Sequence, residues 1–156
     1  MNRSEDSVRL WLMSTQATYD DANLILRLYE LRREEKLRAA RAWFVKSFKP
    51  ATLQEAQEIS APGSEQDAYV RMVLSYWDMV ASFITSGILN FELFAASAGE
   101  LLFVWTRIRK LVPEMRAVFR MPRAYENLEK VGQMMIDRMN AGNPETYANF
   151  EKRVNG

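Results

Sequence analysis

Residues 86–94 read SGILNFELF. A Gly followed by a polar residue and an acid at the start of an apolar run fits three structures. It fits the middle of a calcium loop, the turn of a DNA-binding helix pair, or a plain stop between two packed helices. The first needs oxygen ligands. With Gly87 at loop position six, the ligand positions fall on Ser82, Ile84, Ser86 and finally Leu93. A calcium loop ends on a bidentate acid and carries several more carboxylates, so this reading fails. The second needs side chains that read base edges from the start of the second helix. Phe91, Glu92, Leu93, Phe94, Ala95 and Ala96 offer none, and the one acid repels phosphate. What survives is a left-handed Gly87 stop, an Asn90 cap and two helices packed against one another.

The same helical punctuation runs along the chain, and apolar residues recur at helical spacing. Glu5 to Phe48 reads as one long helix, with a break at Thr18, where Thr18 and Asp21 form a capping box. Thr52-x-x-Glu55 opens a short helix to about Ser60, and Ala61-Pro62-Gly63 is a loop. Ser64 caps a helix from Glu65 to about Ser86. The helix from Phe91 is interrupted at Gly99 and ended or kinked by Pro113. Pro122 fits the first residue of another helix, ending near Asn140. Asn143-Pro144 opens the last. The expected fold is all-α: a single-domain helical bundle over 1–156, with a long N-terminal segment (1–48) and the remaining helices in 52–156.

The chain has 156 residues, 48% apolar and 26% charged, with a net charge of +1. Such a chain buries about 70% of its unfolded surface, and no global field draws it to nucleic acid or a membrane. The charge is uneven. The middle section, 51–100, has one Lys/Arg against seven Asp/Glu, while 1–50 and 101–156 are net basic. The longest uncharged run, 13 residues between Asp78 and Glu92, is too short to span a bilayer. The start of the chain has acids and too short an apolar run for a signal peptide. With no Cys, the expectation is a soluble, cytoplasmic protein without disulfides.

There is no His either. That removes His-based triads and Glu-x-x-His di-iron sites, and neither a phosphate loop nor a G-x-G-x-x-G stretch occurs. No cofactor and no metal site is expected. Asp78, Glu92 and Glu100 are acids embedded in apolar sequence, and a carboxylate-based enzyme stays an alternative. Asp78, in SYWDMVASF, calls for a cation if it is desolvated, with Arg107, Arg109 and Arg116 as candidates. Asp78→Asn should then lose stability. In 31–41, Glu34 and Glu35 reach Arg38 at helical spacing and describe a solvated face. The less compensated cluster Arg107, Arg109, Lys110, Arg116, Arg120 and Arg123 is a candidate anion site. No DNA partner is expected.

Two apolar stripes mark the N-terminal segment. Val8, Leu12, Tyr19, Leu26 and Tyr29 fall on one, and Leu24, Leu28 and Leu31 on the other. A helix apolar on two faces needs cover on two faces. These residues are the candidate oligomer interface, and a homo-oligomer or an unknown protein partner is expected. The leading functional reading is a non-catalytic bundle working through protein–protein contact. The alternative is an apolar or amphipathic small molecule held between helices by Trp, Phe and Met walls.

Residues 76–116 and 121–130 also carry a pattern: Asp78, Gly87, Asn90, Trp105, Pro113 and Arg116, closing on Pro122, Tyr125, Asn127 and Glu129. It resembles a bacterial family of all-helical proteins known only as a domain of unknown function, with Asp78 where that family more often has Glu. The resemblance implies a helical bundle, no activity, and a fixed Asp78–Arg116 pair.

Overall fold

The computed structural model describes residues 5–7, 10 and 16–156. From Thr18 onward the chain forms α1 (Tyr19–Arg32), α2 (Glu35–Ser47), α3 (Leu53–Ile59), α4 (Glu65–Thr85) and α5 (Phe91–Ala95). It continues as α6 (Gly99–Ile108), α7 (Val112–Val118), α8 (Glu126–Asn140) and α9 (Thr146–Asn155). Among the described residues there is no strand, and the fold is the expected all-α bundle.

Helix α4 is the axis. Helices α2 and α8 lie along it, α6 packs on α8, and α9 closes over α6 and α8. Its inward stripe, Val73, Trp77, Val80, Ala81 and Ile84, is fully buried and meets Phe91, Leu101, Val104, Leu128 and Val131. Burying one such side chain contributes about 1.5–3 kcal/mol, so this contiguous core carries the fold. At one crossing a side chain lies directly against the backbone of the next helix. A Cβ on Gly132 of α8 would fall within the Trp105 indole of α6, so only Gly lets that ring lie flush on the helix.

The expected break at Thr18 is present. The Thr18 hydroxyl accepts from the Asp21 amide at 3.3 Å, and Asp21 Oδ2 accepts from the Thr18 amide at 2.7 Å. A second break, at Arg33–Glu34, was not expected. Glu34 does not pair with Arg38. Its carboxylate turns back to accept from the Lys36 and Leu37 amides at 3.1 and 3.0 Å, which starts α2. Those two hydrogen bonds hold its carboxyl below the usual range.

The 86–94 segment is the plain helix stop. Gly87 sits at φ 78° and the Asn90 side chain accepts from the Leu93 amide at 2.8 Å. Helix α5 has five residues, and its Phe91 and Phe94 are buried, so it presents nothing to a DNA groove. The Asn90 amide itself donates to Asp21 Oδ1 at 2.7 Å, which ties the start of α1 to the start of α5. Gly99 opens α6 after an interruption at 96–98, and Pro113 lies in the first turn of α7. Pro122 does not open a helix. Residues 120–125 form an irregular connection in which Arg120 and Tyr125 are left-handed, at φ 54° and 56°, and α8 begins only at Glu126.

Candidate functional site

Successive turns of α4 place Val70, Leu74, Asp78 and Ser82 on one stripe, with Leu74 at its base in the core. Helix α3 faces this stripe with Leu53 and Ala56. Helix α7 and the 120–125 connection face it with Met115, Phe119 and Met121. Between them lies a groove of about 1040 Å³ with mostly apolar walls. Ligand pockets span about 300–1,000 Å³, so this one has the size for a small molecule or a long chain. Met79, Phe119 and Met121 remain exposed along it.

Asp78 is half-buried in the groove wall. It does not pair with Arg116. Its Oδ1 accepts from the Leu128 amide at 3.0 Å, in the first turn of α8. Tyr125, at the cap position of α8, makes no side-chain cap bond, and Asp78 from α4 takes that place. The cation foreseen for Asp78 is therefore the positive end of a helix, which carries about half a unit charge. Burial still pushes its carboxyl up; the Leu128 bond opposes this, and the charge of Glu126 adds to it.

Arg116 builds the wall instead. Its guanidinium donates to the Ala124 carbonyl at 2.8 and 3.0 Å and meets Glu129 at 2.5 Å. This pins the connection that holds two non-glycine residues in the left-handed region, at a cost of about 1–3 kcal/mol each. Arg116 thus fixes Tyr125 beside Asp78, where burial and that carboxylate raise the phenol's pKa.

The basic cluster is dispersed. Arg107 is buried and serves as a clamp: its nitrogens donate to the Val154 carbonyl at 3.0 and 2.7 Å, and to the carbonyls of Phe44, Val45 and Phe48. These carbonyls end α9 and α2, so no anion reaches Arg107. Lys110 lies 3.5 Å from Glu151, and Arg123 forks onto Glu126. Arg120 is exposed. Arg109 donates to the Tyr147 hydroxyl at 2.9 Å and stacks on its ring. It lines a second cleft, about 590 Å³, with Trp105, Arg116, Glu126, Glu129 and Lys130. Pro122 lines both groove and cleft, so the 120–125 connection is the ridge between them.

Of the interface candidates, Val8 and Leu12 lie outside the described residues. Leu28 is buried and Leu24 packs on the core, whereas Tyr19, Leu26, Tyr29 and Leu31 are exposed. The described part of the first stripe, Tyr19, Leu26 and Tyr29, therefore faces outward, and the second is split, because α1 ends at Arg32 and Leu31 falls at its rim. The other embedded acids have partners of their own. Arg41 donates to both oxygens of Glu100, at 2.6 and 2.5 Å, and Glu92 meets Arg138 at 2.9 Å. Among the described residues, no group of three or more His, Cys, Asp or Glu is placed to hold a metal, and no helix is long and apolar enough to cross a membrane.

A family model described as a domain of unknown function, DUF4760, matches residues 17–134. The chain belongs to the DUF4760 family. The family span contains the whole groove, the ridge and α1, and stops short of α9. No curated protein matches the chain. No solved structure matches it either.

The groove was within reach of the sequence only in part. Its α4 stripe has helical spacing, but the opposing wall depends on the left-handed Tyr125, a residue type that rarely adopts that conformation.

Proposed function

We propose that this DUF4760 protein is a non-catalytic binding protein whose groove between α3, α4 and α7 takes an apolar or amphipathic molecule. The observation that carries the reading is the groove itself: about 1040 Å³, walled mostly by Leu, Met, Phe and Val, with two partly buried carboxylates that are already engaged, Asp67 with Arg71 and Asp78 with the Leu128 amide. Asp78, Glu92 and Glu100 each have a partner of their own, and the groove lining includes neither Glu92 nor Glu100, which supports binding over acid–base catalysis. The test is calorimetric titration with decanol, a neutral apolar probe, on the wild-type chain and on Phe119→Asp. Saturable binding to the wild type is expected, weakened in the variant by the carboxylate placed on the groove wall. No heat and no saturation with the wild type would sink the reading.

A second reading rests on a different surface. Tyr19 and Leu26, one heptad apart on α1, are 82% and 62% exposed. Such a row suits a second copy of the chain, the homo-oligomer expected from the sequence. Light scattering should give a mass above 18.1 kDa that Leu26→Glu lowers. A monomer at high concentration ends this reading.

A further inference from the structure

The groove and the cleft share the Pro122 ridge, and their charges differ. Groove charges are mutually satisfied: Arg71 meets Asp67 at 3.2 Å, Arg123 meets Glu126, and Asp78 caps α8. In the cleft, both carboxylates are taken. Glu126 is held by Arg123 and Glu129 by Arg116, each at 2.5 Å. Two cations are left over. Arg109 has only the neutral Tyr147 hydroxyl and ring, and Lys130 makes no ion pair among the described residues. The molecule thus sets an apolar trough beside a cleft with two cations outside any ion pair among the described residues, Arg109 and Lys130, the latter acting on Glu126 only through space.

We propose that the two form one bipartite site for a single-chain anionic amphiphile, with its alkyl chain in the groove and its carboxylate or phosphate head across Pro122 between Arg109 and Lys130. This rests on the groove reading above and adds the chemistry of the head. Charge decides the direction in which the ligand lies. Asp78 in the groove wall repels an anionic head, and the groove's own cations, Arg71 and Arg123, are already paired with Asp67 and Glu126, so the cations outside an ion pair lie over the ridge. A cationic amphiphile has the opposite problem, since it meets Arg109 and Lys130 there. Arg109 suits the role because its planar fork holds two oxygens at once while one nitrogen stays on Tyr147.

The experiment compares decyl phosphate, decanol, decylammonium and inorganic phosphate, each below micelle formation, by calorimetry on the full chain. Decyl phosphate should bind about tenfold or more tighter than decanol, since charge-assisted contacts exceed that threshold. Decylammonium should bind no tighter than decanol, and a preference for it over decyl phosphate would overturn the charge argument. Lys130→Gln and Arg109→Gln should each remove most of the decyl phosphate preference and leave decanol binding unchanged. Lys130 is exposed, so its variant keeps the test valid even if loss of the Tyr147 contact unsettles Arg109→Gln. Equal affinity for decyl phosphate and decanol would overturn the assignment of the head while the groove reading stands. Inorganic phosphate binding as tightly as decyl phosphate would overturn the link between cleft and groove. Failure of every probe, decanol included, would instead remove the groove reading.

Discussion

Removing the Arg107 guanidinium should cost this fold about 3 kcal/mol. Arg107→Met keeps an apolar stem but loses the guanidinium that lies over the Phe103 ring, 4.8 Å from its centroid. It deletes five hydrogen bonds to four carbonyls. The Phe44 carbonyl keeps the Phe48 amide as a partner. That leaves the ends of α2 and α9, at Val45, Phe48 and Val154, short of donors. A buried acceptor stripped of its partner costs about 1–3 kcal/mol. Against this, the variant no longer buries a charge without a carboxylate, which offsets part of the loss. A net of about 3 kcal/mol in a chain of this size lowers Tm by roughly 6–12 °C. Arg107→Lys should fall between, since a single ammonium reaches one helix end and not both. Thermal melts by circular dichroism measure this, with Arg123→Gln as control. Arg123 is 82% exposed on its side chain, and loss of its surface pair should leave Tm close to the wild-type value. Added salt should leave the Arg107 effect intact. A Tm for Arg107→Met within about 2 °C of wild type, a margin of about 1 kcal/mol, would refute the clamp.

Gly132→Ala should destabilise by about 1–2 kcal/mol, since overpacking against Trp105 outweighs the helix propensity gained, while Gly99→Ala, with open space around it, should be neutral or mildly stabilising; a raised Tm for Gly132→Ala would contradict the close approach. Asp78→Asn should melt at or above the wild-type temperature at pH 7. The folded state raises this carboxyl above 3.8, so folding binds the proton more tightly and stability falls as pH rises through the window above that value, a loss the amide escapes while still accepting from Leu128. A clear drop for Asp78→Asn at pH 7, with no dependence on pH, would count against this. Asp21 behaves in the opposite sense: burial acts to raise its carboxyl, but bonds from Thr18 and Asn90 outweigh this and lower it. Its contribution is present above the usual carboxylate range and fades as pH falls through the lowered value, so Asp21→Asn should lose about 1–3 kcal/mol at pH 7 and much less in acid melts.

Much of the fold was legible because helix ends are local chemistry. Thr18, Thr52, Ser64 and Asn90 cap the helices they were expected to cap, and Gly87 stops one where its φ allows. The break at Glu34 was missed because a Glu near an Arg also reads as a helix-face ion pair, and the two differ only in where the backbone turns. The late start of α8 was missed because Pro122 suits both a helix start and a turn. Asp78 stands out by its apolar neighbours, but its partner is a backbone amide 50 residues away, and amides carry no sequence signal. The same holds for Arg107, which reads as surface charge until two helix ends meet it.

Two of these remote bonds have a use of their own. The Leu128 and Asn90 amides each donate to a carboxylate, 50 and 69 residues away. Their proton exchange with deuterated water is therefore decoupled from fraying of the helices they begin. Slow exchange at Leu128 reports that α4 and α8 are docked, and at Asn90 that α1 is seated. Each serves as a single-site gauge of assembly, readable while the rest of the spectrum is crowded by ordinary helical amides.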